Sequence, residues 1–338
     1  MVQTLRIGLL FQDNKYDIEL IRQQLAPHQV DWLDGCCNWD TNTLTSTIRQ
    51  YDAIVTARQS PALPDSLRDD LGRLRLLAHC HGTIKHLVSR PHIEAGLMVS
   101  NWGDQVAGVA ESALSLLLSC LKQLSALNAF VRNDWKDDQR IPAAFPATLS
   151  KRDVGLYGFG PIGRHMARML QPLGPHIAIY DPYATDVPED FHVCGSLREL
   201  FSRCQCISIH CGLNAATEGS VNRELLELLP QGGIVINTAR GPIIVEEDLA
   251  ALVQEGRLRA GIDVINDERN WPTSPLATTH PDAAILTGHT ISGAGKRVHD
   301  GQEERKGLPD HVAHNVHALA DNAALINTIS AQVYDLKT

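Results

Sequence analysis

Three glycines, Gly158, Gly160 and Gly163, stand in the stretch VGLYGFGPIGRHMARML, directly after a short apolar run and ahead of a helix-like pattern. Glycine at this spacing permits a tight turn from strand to helix, and it also lets backbone N–H groups at a helix N-terminus approach a phosphate. The context selects the second use, because Asp181 ends the next apolar run, IAIYDPY, 18 residues beyond Gly163. A carboxylate there accepts the hydroxyl protons of a ribose, while a dinucleotide's pyrophosphate meets the helix end built from Gly160, Pro161, Ile162 and Gly163. Asp181 also discriminates between dinucleotides. A 2′-phosphate would sit against its charge, and Pro182, Tyr183 and Ala184 bring no Arg or Lys to compensate, so NAD is expected over NADP.

A second group with chemical potential is Cys204, Cys206, His210 and Cys211. The run CQCISIH reads as the entry to a buried strand, whose successive side chains face opposite ways and do not all converge on one ion. The eight cysteines form no C-x-x-C pair. Reduced thiols are expected, and no metal site.

Elements must hold these groups in place. From residue 154 the chain alternates apolar runs (154–157, 177–180, 207–210, 234–237, 261–264 and 284–287) with amphipathic stretches. Ile162, Met166, Met169, Leu170 and Leu173 recur at helical spacing after the glycines. Ser196 and Glu199 offer a capping box, and Glu246, Glu247 and Asp248 an acidic first turn. Strand, helix, strand repeated in this way implies a parallel sheet covered on both faces. The N-terminal part shows a weaker alternation in LRIGLLF, DAIVTA and LRLLAHC, so a second α/β domain is expected. Residues 106–131 read as one long buried helix, 311–320 as a final helix returning to the N-terminal domain, and the polar run after Thr290 as a connection.

With 338 residues, 43% hydrophobic and 20% charged, the chain has material for about two domains. Its formal charge of −9 argues against nucleic acid or an anionic membrane as the main partner. No apolar run reaches membrane-spanning length, and the first residues lack a leader-like pattern, so a cytoplasmic protein is expected.

Between residues 74 and 328 the sequence resembles the D-isomer-specific 2-hydroxyacid dehydrogenases, the family of phosphoglycerate dehydrogenase, D-lactate dehydrogenase and hydroxypyruvate reductase. The stretches that carry the resemblance are VAES, GLYGFGPIGR, the long run ISIHCGLNAATEGSVNRELLELLPQGGIVINTARGPIIVEEDLAALVQEGRLRAGIDVINDE, and LTGHTISGA. The resemblance implies two Rossmann-like, doubly wound parallel-sheet domains with a cleft between them. Residues 1–100 with 303–338 would form a flavodoxin-like substrate domain, and residues 101–302 the NAD-binding domain. It also implies an enzyme that interconverts a D-2-hydroxy acid and its 2-keto acid by hydride transfer.

Three family positions then fall on Arg240 in NTARG, Glu268 in NDERN and His289 in LTGHT. Arg240 corresponds to the arginine that binds the substrate's carboxylate and C2 oxygen, a task suited to a planar guanidinium. His289 corresponds to the acid/base group, and Glu268 to the carboxylate that sets its tautomer and stabilises its imidazolium form. His210, Thr238, Ala239 and Asp263 are implied on the cofactor side, Asp263 near the nicotinamide carboxamide. The loop AHCHGTIKHL is implied to receive the substrate carboxylate on the N–H groups of Gly82, Thr83 and Ile84. Lys85 is adjacent to that loop, and His79 and His81 are open to either a substrate contact or a structural hydrogen bond.

The chain departs from the family pattern at Gly288 and Gly212, where proline is usual, and in the loop 266–280. Gly288 implies a more mobile loop around His289. The partners implied are a small 2-hydroxy or 2-keto acid and a second copy of the chain in a homodimer. The competing reading is an NAD(H)-sensing, corepressor-like protein on the same scaffold.

Overall fold

The computed structural model describes residues 3–13, 15–103, 106–133, 147–291, 298–299, 302–303 and 306–334. The connection expected after Thr290 falls largely outside them. Two compact units are present, Met1–Gln105 with Lys296–Thr338, and Val106–Gly295.

The first unit contains β1 (Arg6–Leu10), α1 (Ile18–Gln24), β2 (Gln29–Trp32), α2 (Thr41–Ile48), β3 (Ala53–Thr56), β4 (Leu76–His79), α3 (Arg90–Glu94) and β5 (Met98–Ser100). Its strands lie in the order β2-β1-β3-β4-β5, all pairs parallel. The sheet is buried on both faces because its side chains are apolar at successive positions. Ala53, Val55, Leu76 and Ala78 point into one core, and Ile54 and Leu77 into the other. β2 and β5 were not legible as strands, being short and carrying exposed Trp32 and Met98.

The second unit contains α4 (Ala107–Lys122), α5 (Leu124–Asn133), β6 (Asp153–Tyr157), α6 (Pro161–Leu170), β7 (His176–Tyr180), β8 (His192–Val193) and α7 (Leu197–Arg203). It continues with β9 (Cys206–Ile209), α8 (Arg223–Leu226), β10 (Gly233–Asn237), α9 (Glu246–Gln254), β11 (Leu258–Ile262) and β12 (Ala284–Leu286). The last helix, α10 (Asp310–Ala320), sets Val312, Val316 and Leu319 into the core of the first unit. The seven strands run in the order β12-β11-β10-β9-β6-β7-β8, again parallel throughout. The two-sheet α/β architecture expected from the sequence is therefore present. Each fully buried Leu or Ile in these strands contributes about 1.5–3 kcal/mol.

Three local expectations are corrected. The helix expected over 106–131 is two helices bent by 52°. Gln123 adopts a left-handed conformation (φ 52°), with its N–H turned back to Cys120 and Ser119, which ends α4. Leu173, expected on the buried face of α6, is 40% exposed because α6 gives way to a tight turn at Gln171–Leu173 that carries Pro172. The capping box at α7 is displaced. Ser196 accepts the Glu199 N–H, but the Glu199 carboxylate accepts the N–H of Gly195 rather than that of Ser196. No single helix among the described residues is long and apolar enough to cross a membrane.

Candidate active site

The strand order of the second unit reverses beside β6. From there the chain proceeds to β7 and β8 on one side and to β9, β10, β11 and β12 on the other. Such a switch point opens a crevice at the carboxyl ends of the strands, and it lies between the turn after β6 and the turn after β9. Those two turns touch. A Cβ on Gly158 would lie 2.5 Å from the Cys211 nitrogen, and Gly158 has φ 100°, so only glycine fits. Gly163 is equally constrained, since its Cβ would meet the Gly158 oxygen at 2.3 Å.

Gly160 is different, because a Cβ there would meet nothing within 4 Å. It is the N-cap of α6, followed by Pro161, and the N–H groups of Gly160, Ile162 and Gly163 find no acceptor among the described residues. Open space in front of unpaired donors at the positive end of a helix is the setting a pyrophosphate requires. Beside it, at the end of β7, Asp181 accepts the Phe159 N–H at 2.7 Å on one oxygen and the Tyr183 N–H at 2.9 Å on the other. The carboxylate is thereby fixed in orientation, and each oxygen retains a lone pair for a ribose hydroxyl.

On the other side of the switch point, His210 follows β9 and Thr238 follows β10. Both ring nitrogens of His210 and the hydroxyl of Thr238 are buried without a hydrogen-bond partner. Burial pushes the His210 pKa down to about 3, so its imidazole is neutral near pH 7. Buried polar atoms left unpaired in a crevice fit a bound polar ligand. Together with the open helix end and the fixed carboxylate, they fit a dinucleotide.

β10, β11 and β12 are consecutive neighbours, so the residues after their ends form a row spanning about 10 Å, two interstrand spacings. Arg240 stands after β10. Asn237 holds that turn, accepting the Ala239 N–H at 3.0 Å and donating to the Arg240 carbonyl at 2.9 Å. The Arg240 guanidinium donates to the Ala239 carbonyl at 2.6 Å and is partly exposed. After β11, buried Asp263 works as a bracket for the loop after β12. Its carbonyl accepts the His289 N–H at 2.7 Å, and its Oδ1 accepts the Thr287 hydroxyl at 2.6 Å and the Thr290 N–H at 3.2 Å.

The bracketed residue is His289, whose Nδ1 lies 2.7 Å from Glu268 Oε2, both side chains being a little over one-third exposed. The proton on that edge of the ring is held by a carboxylate, which leaves Nε2 to exchange a proton with a ligand. Gly288 and His289 have φ values of 62° and 57°. Proline, locked near −65°, could not occupy position 288 in this turn.

Two contributors escaped the sequence reading. Asn237 was visible in NTARG, but its double hydrogen bond was not. Glu246 stands in the acidic first turn of α9 as expected, and it is also buried. Its carboxylate accepts the Asn266 N–H at 3.0 Å and the Ser274 hydroxyl, gripping both ends of the loop that carries Glu268.

In the first unit, the loop after β4 holds Gly82 against Trp102, where a Cβ would lie 2.6 Å from the indole. The N–H groups of Gly82, Thr83 and Ile84 have no acceptor among the described residues, although the Ile84 side chain is fully buried. His79 takes the structural option, its Nδ1 bonded to Thr56 Oγ1 at 2.9 Å. His81 differs, because its Nε2 is buried without a partner.

A model of the D-isomer specific 2-hydroxyacid dehydrogenase NAD-binding domain matches residues 114–290, just over half the chain. A hydroxypyruvate reductase of Blautia hydrogenotrophica is 29% identical over 311 residues, 86% of this chain and 92% of that one. A D-3-phosphoglycerate dehydrogenase of Mycobacterium tuberculosis is 28% identical over 268 residues, 74% of this chain and 49% of that one. Among solved structures, an NADPH-dependent glyoxylate/hydroxypyruvate reductase from Sinorhizobium meliloti superposes with a TM-score of 0.74 at 23% identity, covering 98% of each chain.

Proposed function

The chain belongs to the D-isomer-specific 2-hydroxyacid dehydrogenase family, and from that premise we propose that it is an NAD-dependent oxidoreductase interconverting a D-2-hydroxy acid and its 2-keto acid. The observation that carries this reading is the 2.7 Å pair of His289 and Glu268, held by Asp263 in one row with Arg240.

NAD supplies the hydride acceptor or donor. Asp181 would hold the adenosine ribose, the N-terminus of α6 with Gly158, Gly160, Pro161, Ile162 and Gly163 would hold the pyrophosphate, and His210, Thr238, Ala239 and Asp263 would hold the nicotinamide half. Arg240 is assigned to the substrate's carboxylate and C2 oxygen, and the N–H groups of Gly82, Thr83 and Ile84 are assigned to substrate binding. In reduction, Nε2 of protonated His289 delivers a proton to the C2 oxygen of the keto acid. In oxidation the neutral ring removes that proton, and Glu268 stabilises the imidazolium that results. We assign residues 1–100 with 303–338 to substrate and 101–302 to NAD. We further propose a cytoplasmic homodimer with no nucleic-acid or membrane partner.

The NAD(H)-sensing alternative is not favoured, because a sensor has no need of an acid/base pair. The test is NADH oxidation with glyoxylate, hydroxypyruvate, pyruvate and bulkier 2-keto acids, beside His289→Ala. Turnover of at least one acid, reduced at least a hundredfold in the variant, is expected. NADH binding without turnover across the whole series would establish the sensing reading instead.

A further inference from the structure

We propose that His192, Cys194 and Glu199 form a Zn2+ site at the outer edge of the larger sheet, remote in sequence from the glycine turn and from His289. Their donor atoms, an imidazole nitrogen, a thiol sulfur and a carboxylate oxygen, all lie within 4.8 Å of one another. Bonds of about 2.0–2.3 Å to a tetrahedral zinc separate its ligands by about 3.3–3.8 Å, so closure onto an ion needs shifts of about 1 Å.

The local fold explains the convergence. β8 is an edge strand, and the Cys194 N–H continues its pairing by donating to the Ile179 carbonyl at 2.8 Å. His192 and Cys194 are two residues apart in extended chain, so their side chains share a face. This is the geometry that alternate strand positions permit and that adjacent ones, as at Cys211 beside His210, do not. The chain then turns at Gly195 and Ser196 into α7, whose first turn brings Glu199 back towards the strand. Gly195 donates its N–H to Glu199 Oε2 at 2.8 Å, which directs Oε1 to His192 Nε2 at 2.9 Å.

Access and chemistry agree. The His192 and Glu199 side chains are 42% and 43% exposed, whereas Cys194 lies beneath them at 4%. A cation enters from solvent, meets the two outer ligands and completes its shell with the thiolate and one water. A mixed nitrogen, sulfur and oxygen set selects Zn2+ over Mg2+ and Ca2+, which take oxygen ligands. The thiol must lose its proton to bind, so affinity rises with pH. No zinc motif announces the site, because its ligands come from a strand, a strand end and a helix within eight residues.

The experiment is equilibrium dialysis of chelator-stripped full-length protein against Zn2+, in parallel with His192→Ala and Cys194→Ser, and Co2+ titration followed in the ultraviolet and visible. Because the chain has 15 histidines, the decisive quantity is the difference between proteins. Wild type should hold one more Zn2+ per chain than either variant, undisturbed by a tenfold excess of Mg2+, and show a thiolate-to-Co2+ charge-transfer band that Cys194→Ser lacks. His192 is exposed, so His192→Ala should keep the wild-type melting temperature without metal and NADH affinity as evidence of folding. Equal zinc uptake by wild type and His192→Ala, or a Co2+ spectrum without the thiolate band, would overturn the site and leave His192 and Glu199 as a surface ion pair. Neither result depends on turnover.

Discussion

At the scale of single residues, the cofactor half is decided by where a carboxylate and a few unpaired donors stand. Asp181 is held by two backbone N–H groups from different segments, Phe159 and Tyr183, so its charge cannot swing away from a 2′-phosphate. NADH should therefore be preferred over NADPH by at least about tenfold in kcat/KM, equivalent to about 1.4 kcal/mol. Asp181→Ala should narrow that ratio to within about threefold, mainly through a weaker NADH KM. Initial rates with both cofactors measure it, and an unchanged ratio in the variant would move the ribose contact elsewhere. The acid/base half depends on a turn that most residues would not adopt. His289 is left-handed, a conformation in which histidine is enriched among non-glycine residues, and Gly288 before it removes the constraint a proline would impose.

At the scale of elements, two separate devices aim the chemistry. The first is the N-terminus of α6, where three glycines do unlike work. Gly160→Ala should fold normally, since its Cβ enters open space, yet NADH should bind at least about tenfold more weakly if that space is the pyrophosphate site proposed above. Gly163→Ala should lower the melting temperature as well, because its Cβ meets the Gly158 carbonyl. Calorimetric binding and thermal unfolding of the two variants separate these effects; a Gly160→Ala protein with full NADH affinity would displace the phosphate site. The second device is the grip of Glu246 on the loop bearing Glu268. Glutamine keeps the size but offers one acceptor oxygen where two donors converge, leaving a buried mismatch of about 1–3 kcal/mol. Glu246→Gln should lower kcat for keto-acid reduction about tenfold, with NADH affinity unchanged and a loss no larger than in Glu268→Gln. Full kcat in Glu246→Gln would show that other contacts hold the loop.

At the scale of the whole molecule, buried neutral histidines couple the fold to pH. Burial pushes His79 down to about 3, with His81 beside it adding to the effect. Burial, then the charge of Arg58, pushes His81 down to about 4, and burial alone brings His210 to about 3. An unfolded chain protonates these rings near pH 6.5 while the native state does not, so the unfolded state binds more protons between about 6.5 and 3. Stability is thus fully present above pH 6.5 and is lost as pH falls, at up to about 1.4 kcal/mol per pH unit for each ring. Urea unfolding from pH 7.5 to 4.5 should show that decline. His79→Gln, which retains a partner for Thr56, should flatten it by about one proton. Equal slopes for the two proteins would mean that His79 titrates normally in the folded chain.

Much of this was legible in the chain itself. The alternation of apolar runs with amphipathic stretches, the glycine spacing and the acid ending the second strand are short-range patterns, and local chain geometry reads them directly, so the parallel sheets and the dinucleotide turn were open to sequence. The order of NTARG, NDERN and LTGHT indicated Arg240, Glu268 and His289 through resemblance. Other features were settled only by tertiary packing. Gln123 ends α4 in a left-handed turn, and Glu246 is buried because the loop 266–274 folds over it, Asn266 and Ser274 donating to its carboxylate. His192, Cys194 and Glu199 meet because an edge strand turns into a helix at Gly195. The burial of Glu246 depends on which distant backbone and hydroxyl reach it, and the meeting of His192, Cys194 and Glu199 on the three-dimensional course of the turn at Gly195; a one-dimensional pattern carries no record of either.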